Sequence, residues 1–296
     1  MANVPTDDRL SLGLDAIAGT PAPVRDARWT GHLDVGVPAA LIVLILAACF
    51  IGPALFPLPK PVGGSIFEAN LRPLAPGHLL GTDPVGNDVL SRLLYGGRAS
   101  LETALAVNLI GLFLGGTIGA LAGYLGGPVD AVAMRALYVL IAFPALVLAL
   151  AIADSLGPGQ GHTILALSFF AVPIFARNAR AATLRLRELT FMTAARLCGT
   201  RTWRVLLRHI APNILPALVT FLLLGVGVTI ILEGALSFLG LGIPPPEPSW
   251  GNMIFEGQAV LSAEPKLVLL PSAFLFVTVL AFNLLGDALR ARGNAS

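Results

Sequence analysis

The stretch ILPALVTFLLLGVGVTIILEGALSF, Ile214 to Phe238, runs for 25 residues with one ionisable side chain, Glu233. A helix of roughly 20 such residues crosses a hydrocarbon core of about 30 Å, and lipid offers no partner to backbone amides left outside a helix. The segment therefore reads as a membrane span, and five more runs obey the same rule. They extend from about Val37 to Pro57, Leu101 to Leu125, Ala131 to Ile152, His162 to Phe175 and Lys266 to Leu285. Pro144, Pro173 and Pro271 fall inside these runs and predict kinks rather than breaks, because neighbouring helices re-satisfy the freed carbonyls. The fold class is an all-α membrane protein with six transmembrane helices.

Composition agrees with lipid as the main solvent. Of 296 residues, 55% are hydrophobic and 12% charged, about half the charged share of a soluble domain, and the mean hydropathy is +0.81. These values exclude an ordinary water-soluble enzyme. A net charge of +2 gives no footprint for nucleic acid. Cys49 and Cys198 offer neither a disulfide framework nor a CxxC metal spacing. Residues 1–35 are polar, carry five aspartates and lack a basic start followed by a short apolar core, so the first span is expected to double as the targeting signal. The expected division is a polar cytoplasmic tail at 1–35, a membrane domain at 36–292 and a C-terminal tail at 293–296. Loops at 58–100 and 239–265 fall outside, and a loop at 176–213 inside.

Orientation follows from where the positive charges lie. With the N-terminus inside, fourteen Lys and Arg residues face the cytoplasm and five, Lys60, Arg72, Arg92, Arg98 and Lys266, face out. That asymmetry satisfies the positive-inside rule and places both termini of a multi-pass protein in the cytoplasm.

Eight arginines crowd between Ala176 and Ala211, a segment too polar to cross. Within it, LTFMTAARLCG predicts a short helix presenting Ala194 and Ala195, with Gly199 as its stop. TRTWRVLLRHIAPN predicts a second, amphipathic helix ended by Pro212. From composition alone the segment is equally a basic surface element lying on anionic membrane lipid. Ala194 and Ala195, Gly199 four residues on and Pro212 thirteen beyond it resemble the EAA loop of binding-protein-dependent ABC importer permeases. In that family the loop is the coupling helix that docks on a cytoplasmic ATPase. The acidic position of the motif is Thr193 here, and Arg196 lies inside it.

Two further segments are similar to the C-type subunit of dipeptide and oligopeptide permeases. HLLGTDPVGNDVLSRLLYGGRASL, His78 to Leu101, holds Gly81, Thr82, Asp83, Gly86, Asp88, Arg92 and Arg98; the usual GRD reads Gly86, Asn87, Asp88. Its residues also have structural readings: Asp83-Pro84 and Gly86-Asn87 as turns, and Asp88 as N-cap of a short helix that Gly96-Gly97 ends. Two aspartates without a third ligand make no metal site. LEGALSFLGLGIPPPEPSWGNMI, Leu232 to Ile254, resembles the same subfamily, with Trp250 as an interfacial anchor in a proline-stiffened loop. Glu233, an acid deep in an apolar run, is a candidate pathway residue or a helix-end acid packed on a partner, and Asn108 and Asn283 are further pathway candidates.

The resemblance implies a permease subunit forming half a translocation pathway in a bacterial cell membrane. Its implied partners are a second, homologous permease, two cytoplasmic ABC ATPase subunits and an extracytoplasmic substrate-binding protein. The implied substrates are di- and oligopeptides, with nickel, glutathione or another small solute as the alternative. The chain itself is expected to bind no cofactor, ATP and Mg being used by the ATPases, since both lysines, Lys60 and Lys266, follow proline rather than the glycine of a P-loop. No HExxH or GxSxG motif appears, so a catalytic role is not expected. An ion-coupled secondary transporter is the less favoured reading, because it ordinarily places several acids at mid-membrane. A scaffold without transport gives the basic loop no purpose.

Overall fold

Backbone polar groups in lipid are satisfied within helices, and in the computed structural model every long apolar run is helical. The structure describes residues 33–56 and 58–295, without the side chains of Leu33, Arg196, Asn294 and Ala295, and the expected N-terminal tail lies almost wholly outside the described residues. Nine helices carry the described fold: α1 (Asp34–Leu55), α2 (Val89–Leu125), α3 (Gly127–Ile141), α4 (Ala145–Leu156), α5 (Gln160–Arg187), α6 (Thr190–Leu197), α7 (Thr202–Phe238), α8 (Trp250–Gln258) and α9 (Lys266–Ala295). Among the described residues α1, α2, α5, α7 and α9 are each long and apolar enough to cross a membrane, and α3 with α4 forms a bent pair that gives a sixth when the pair is taken as one span. No strand occurs among them.

Several boundaries differ from the sequence reading, each for a physical reason. Pro144 breaks its span: α3 and α4 meet at 85°, and Pro144, extended at φ −57° and ψ 128°, becomes the N-cap of α4. Pro173 and Pro271 stay inside their helices. The short fourth span instead runs on to Arg187. Its added turns bury Ala176, Ala179 and Thr183, and Arg180 pairs with Asp130 of α3 at 2.6 Å between Nη2 and Oδ2. Pro212 does not end a helix either. A π-helical turn at Leu206–Ile210 precedes it, and that wider turn spares the carbonyl with which the ring would collide, so α7 is continuous from Thr202.

Gly96-Gly97 likewise fails to stop α2. Asp88 caps the helix, its side chain accepting from Ser91 N at 2.7 Å, and the chain continues unbroken past the glycines because they are contact points. A Cβ on Gly97 would lie 2.5 Å from Trp250 Cζ2 and 2.7 Å from Cys49 Sγ. Trp250 is accordingly no interfacial anchor: it is fully buried, and its indole donates to Leu93 O at 3.0 Å. It sits in a core of Ile42, Leu101, Ile230 and Phe282, contributed by four different spans.

Farther along α2, Gly111, Gly115, Gly119 and Gly123 recur every fourth residue and face α5. Added Cβ atoms would stand 2.3 Å from Val172 O at Gly115 and 2.1 Å from Ala176 O at Gly119. Small residues at this spacing let two backbones touch, the main source of helix association where lipid removes the hydrophobic driving force. Gly97→Ala is expected to lower the melting midpoint of the detergent-solubilised protein, overpacking costing about 1–3 kcal/mol. Gly96→Ala, whose Cβ would meet Ser249 at 3.3 Å, is expected to be milder. Equal midpoints for the two variants in a thermal-shift measurement would remove the Trp250 contact as the reason for Gly97.

Candidate functional site

Three places hold the residues singled out in the sequence. The first lies between α1 and α2. The loop folds on itself through Asp83, whose Oδ1 accepts from Val85 N and Asn87 N, both at 2.9 Å, while Oδ2 accepts from Asn87 Nδ2 at 2.9 Å. Thr82 donates to Glu68 O and accepts from Leu71 N. Gly86, at φ +85°, brings its missing Cβ within 1.9 Å of Ser65 O, so only glycine fits. Gly81, at φ +76°, is pressed against Leu71 O in the same way. Asp88 Oδ2 lies 2.8 Å from His78 Nδ1. Each aspartate oxygen is thus in hydrogen-bond contact with the loop itself or with the first turn of α2.

Arg92 joins this loop to the rest of the fold. Its Nη1 donates to Asp83 Oδ2 at 2.8 Å and its Nη2 to Glu256 Oε2 of α8 at 2.6 Å. The Arg92 side chain is 7% exposed, so this is a desolvated bridge between groups 164 positions apart. Arg98 by contrast pairs along its own helix with Glu102 at 2.8 Å and is exposed. The loop expected at 58–100 therefore ends at Asp88, and the one at 239–265 contains α8. That helix opens with a capping box, Asn252 N bonding Ser249 Oγ at 3.2 Å and Ser249 N bonding Asn252 Oδ1 at 2.9 Å. The Ser249/Asn252 spacing was the available signal for it.

The second place is the middle of the spans, where the three pathway candidates separate. Asn108 of α2 is buried and donates to Thr229 Oγ1 of α7 at 2.9 Å. Gly225 makes room for it, since a Cβ there would lie 2.1 Å from Asn108 Oδ1. Asn283 of α9 is half-buried beside Gly227, two residues on and so on the other side of α7. Glu233 has no exposed surface; Ser237 donates to its Oε1 at 2.7 Å, and the Ser100 and Ser249 hydroxyls flank it. A side chain enclosed within one chain does not line a passage in this conformation, so Glu233 here joins α7 to α2 and to the start of α8.

The third place is α6. Met192 is completely buried against Phe175, Val205, Ile210 and Ile214, which anchors the helix to α5 and α7. Thr193 and Ala194 are exposed, and Ala195 is half-buried. Gly199, at φ +67°, ends the helix, with Thr200 N bonding Ala195 O at 3.1 Å in the six-to-one pattern of a Schellman cap. Around this edge Phe191, Leu197, Trp203 and Leu207 are exposed, Leu197 to 85%. Pro212 lies two turns into α7 and takes no part in the cap.

Comparison with known proteins extends this picture. The family model described as "Binding-protein-dependent transport system inner membrane component" matches residues 115–292. A protein of Pectobacterium atrosepticum named "Glutathione transport system permease protein GsiD" is 41% identical over 257 residues, covering 86% of this chain and 85% of that one. The protein of the same name from Escherichia coli O157:H7 is 43% identical over 213 residues, covering 72% and 70%. A chain from a solved structure of the MetNI methionine ABC transporter in inward-facing conformations aligns with a TM-score of 0.55 and 18% identity. It covers 67% of this chain and 95% of that one, a likeness of fold alone.

Proposed function

The chain belongs to the family of binding-protein-dependent transport system inner membrane components, and from that premise we propose that it forms one half of the passage of an ATP-driven importer for glutathione or a closely similar short peptide. It is a multi-pass permease subunit of an ABC importer, of a family that works with ATPase and substrate-binding subunits. The finer composition is our reading: one copy of this chain, a second and different permease, two cytoplasmic ATPases and an extracytoplasmic binding protein, with both termini in the cytoplasm. ATP and Mg belong to the ATPases. Relatives named for glutathione transport support the small-peptide substrate. They favour the alternative raised from the sequence over di- and oligopeptides in general.

The observation that carries the coupling assignment is the geometry of α6. An eight-residue helix held from behind by Met192 and capped by Gly199 presents Thr193, Ala194 and Ala195 outward beside exposed Leu197 and Trp203. Small side chains let a partner's groove approach the backbone closely, and the surrounding apolar edge gains by being covered. Arg196 and Gly199 complete the assigned segment. Movement of the ATPases passes to α5 and α7 through Met192, so the bundle exchanges outward-open for inward-open states.

Co-purification of the tagged chain from membranes, with mass spectrometry and an ATPase assay, tests this. Recovery of a second permease and P-loop ATPases is expected, with the ATPases lost on Ala195→Arg. Recovery of the chain alone in a detergent that preserves membrane complexes would make α6 a lipid-surface element and sink the importer assembly.

A further inference from the structure

Two hollows lie end to end in the seam between α5 and α7. One, of about 190 Å3, is bordered by Asn108, Phe170, Ile174, Gly225 and Thr229. The other, of about 540 Å3, is bordered by Asn178, Arg185, Asn213, Thr220 and Arg290. Phe221 and Leu224 border both, so the two are neighbours along the seam. Their lining positions on α7, from Asn213 to Leu232, recur every three to four residues, as one face of a helix does, and the matching face of α5 runs from Leu167 to Arg185. At 1.5 Å per residue the α7 stripe is about 28 Å long, close to the thickness of a hydrocarbon core.

Charge along this seam has one sign. No carboxylate borders either hollow, and the larger one carries two guanidinium groups, Arg185 and Arg290. Neither makes an ion pair among the described residues, and Asp287, one turn before Arg290, forms none with it. Arg180 of the same helix as Arg185, by contrast, takes Asp130. The amides of Asn178 and Asn213 donate to Ile174 O and His209 O of their own helices. The arginines are therefore the hollow's uncommitted donors. Both arginines are exposed at the hollow's edge, where charges of one sign raise the local concentration of the opposite sign, and guanidinium forks match carboxylates in particular.

We propose that the seam between α5 and α7 is this chain's wall of the passage, and that Arg185 and Arg290, at the end nearest α6, select solutes whose net negative charge is carried by carboxylates. The inference rests on the importer reading and adds to it a class of cargo. An apolar upper stretch broken by the Asn108–Thr229 pair holds such a solute weakly, and the arginines draw it toward the cytoplasmic end. Arg185→Gln with Arg290→Gln removes that pull while keeping a polar side chain that donates hydrogen bonds.

The test uses the complete complex in liposomes, with glutathione as probe, reading ATP-driven uptake and binding-protein-stimulated ATPase side by side. The Gln pair is expected to reduce uptake about tenfold, corresponding to about 1.4 kcal/mol, with ATPase within twofold of wild type, and the Lys pair, which keeps the charge without the fork, is expected to restore part of it. Unchanged uptake overturns the inference. Parallel loss of uptake and ATPase, or loss of a partner from the complex, makes the seam a structural or subunit interface and overturns it too. An effect seen only in vesicles containing anionic lipid, and absent in pure phosphatidylcholine, assigns the arginines to lipid headgroups instead. Absence of ATP-driven uptake by the wild-type complex overturns the substrate reading itself, which separates that failure from this one.

Discussion

Uptake is expected to fall to background when Gly199 is replaced by proline, with membrane insertion and yield unchanged. The residue holds φ at +67°, and a pyrrolidine ring fixes φ near −65°. The chain beyond α6 then cannot turn back, and the bond from Thr200 N to Ala195 O is lost. An isolated eight-residue helix does not hold itself together in water, so α6 depends on this cap and on Met192. The cost falls on α6, the proposed coupling element, and not on the spans. Gly199→Ala separates strain from shape. A Cβ there has open space around it, leaving only the left-handed penalty of about 1–2 kcal/mol, and uptake is expected to be reduced but measurable. Transport assays beside a membrane-fraction blot read both variants; background uptake by the alanine variant as well would show that the cap is not the element the proline breaks.

Membrane spans were legible in the sequence because lipid leaves little choice: a run such as Ile214 to Phe238 has nothing to satisfy its amides except itself. Their ends were less so, since ends are set by partners distant in the chain. Nothing near Phe175 announces that Asp130, fifty positions earlier, neutralises Arg180 and lets α5 run on. Gly96-Gly97 reads as a stop until Trp250 is known to lie across it. The glycine ladder from Gly111 to Gly123 was visible as a four-residue spacing, but its meaning depends on α5 lying alongside. Glu233 was noticed correctly as exceptional; burial depth decides between channel and core, and periodicity does not report it. The short helix α6 and its glycine stop were legible because both are set locally, by Met192's neighbours in sequence and by the left-handed φ of Gly199.

Arg92→Met is expected to have the largest effect on stability of any substitution in the loop before α2 and its contact with α8. The guanidinium is almost without solvent and holds two carboxylates, Asp83 at 2.8 Å and Glu256 at 2.6 Å. Removing one partner of a desolvated pair leaves an uncompensated charge, at a cost of about 3–5 kcal/mol. The lower end applies here, for two reasons. Asp83 keeps three donors from Val85 and Asn87, and Glu256, at 34% exposure, regains water. A loss of about 3 kcal/mol lowers the melting midpoint by on the order of 5–10 °C. It also frees the loop before α2 from α8, so cleavage by a protease added to the detergent-solubilised protein is expected to concentrate between residues 58 and 88. Arg92→Lys keeps the charge but reaches one carboxylate, because a single ammonium lacks the fork that spans both. Its midpoint is expected to fall between wild type and Arg92→Met. Neutralising all three groups, with Arg92→Met, Asp83→Asn and Glu256→Gln together, is expected to recover a good part of the loss, since the penalty of the single change lies in the stranded carboxylates. If the triple variant melts below the single one, the bridge stabilises through its own hydrogen bonds, and the stranded-charge account fails.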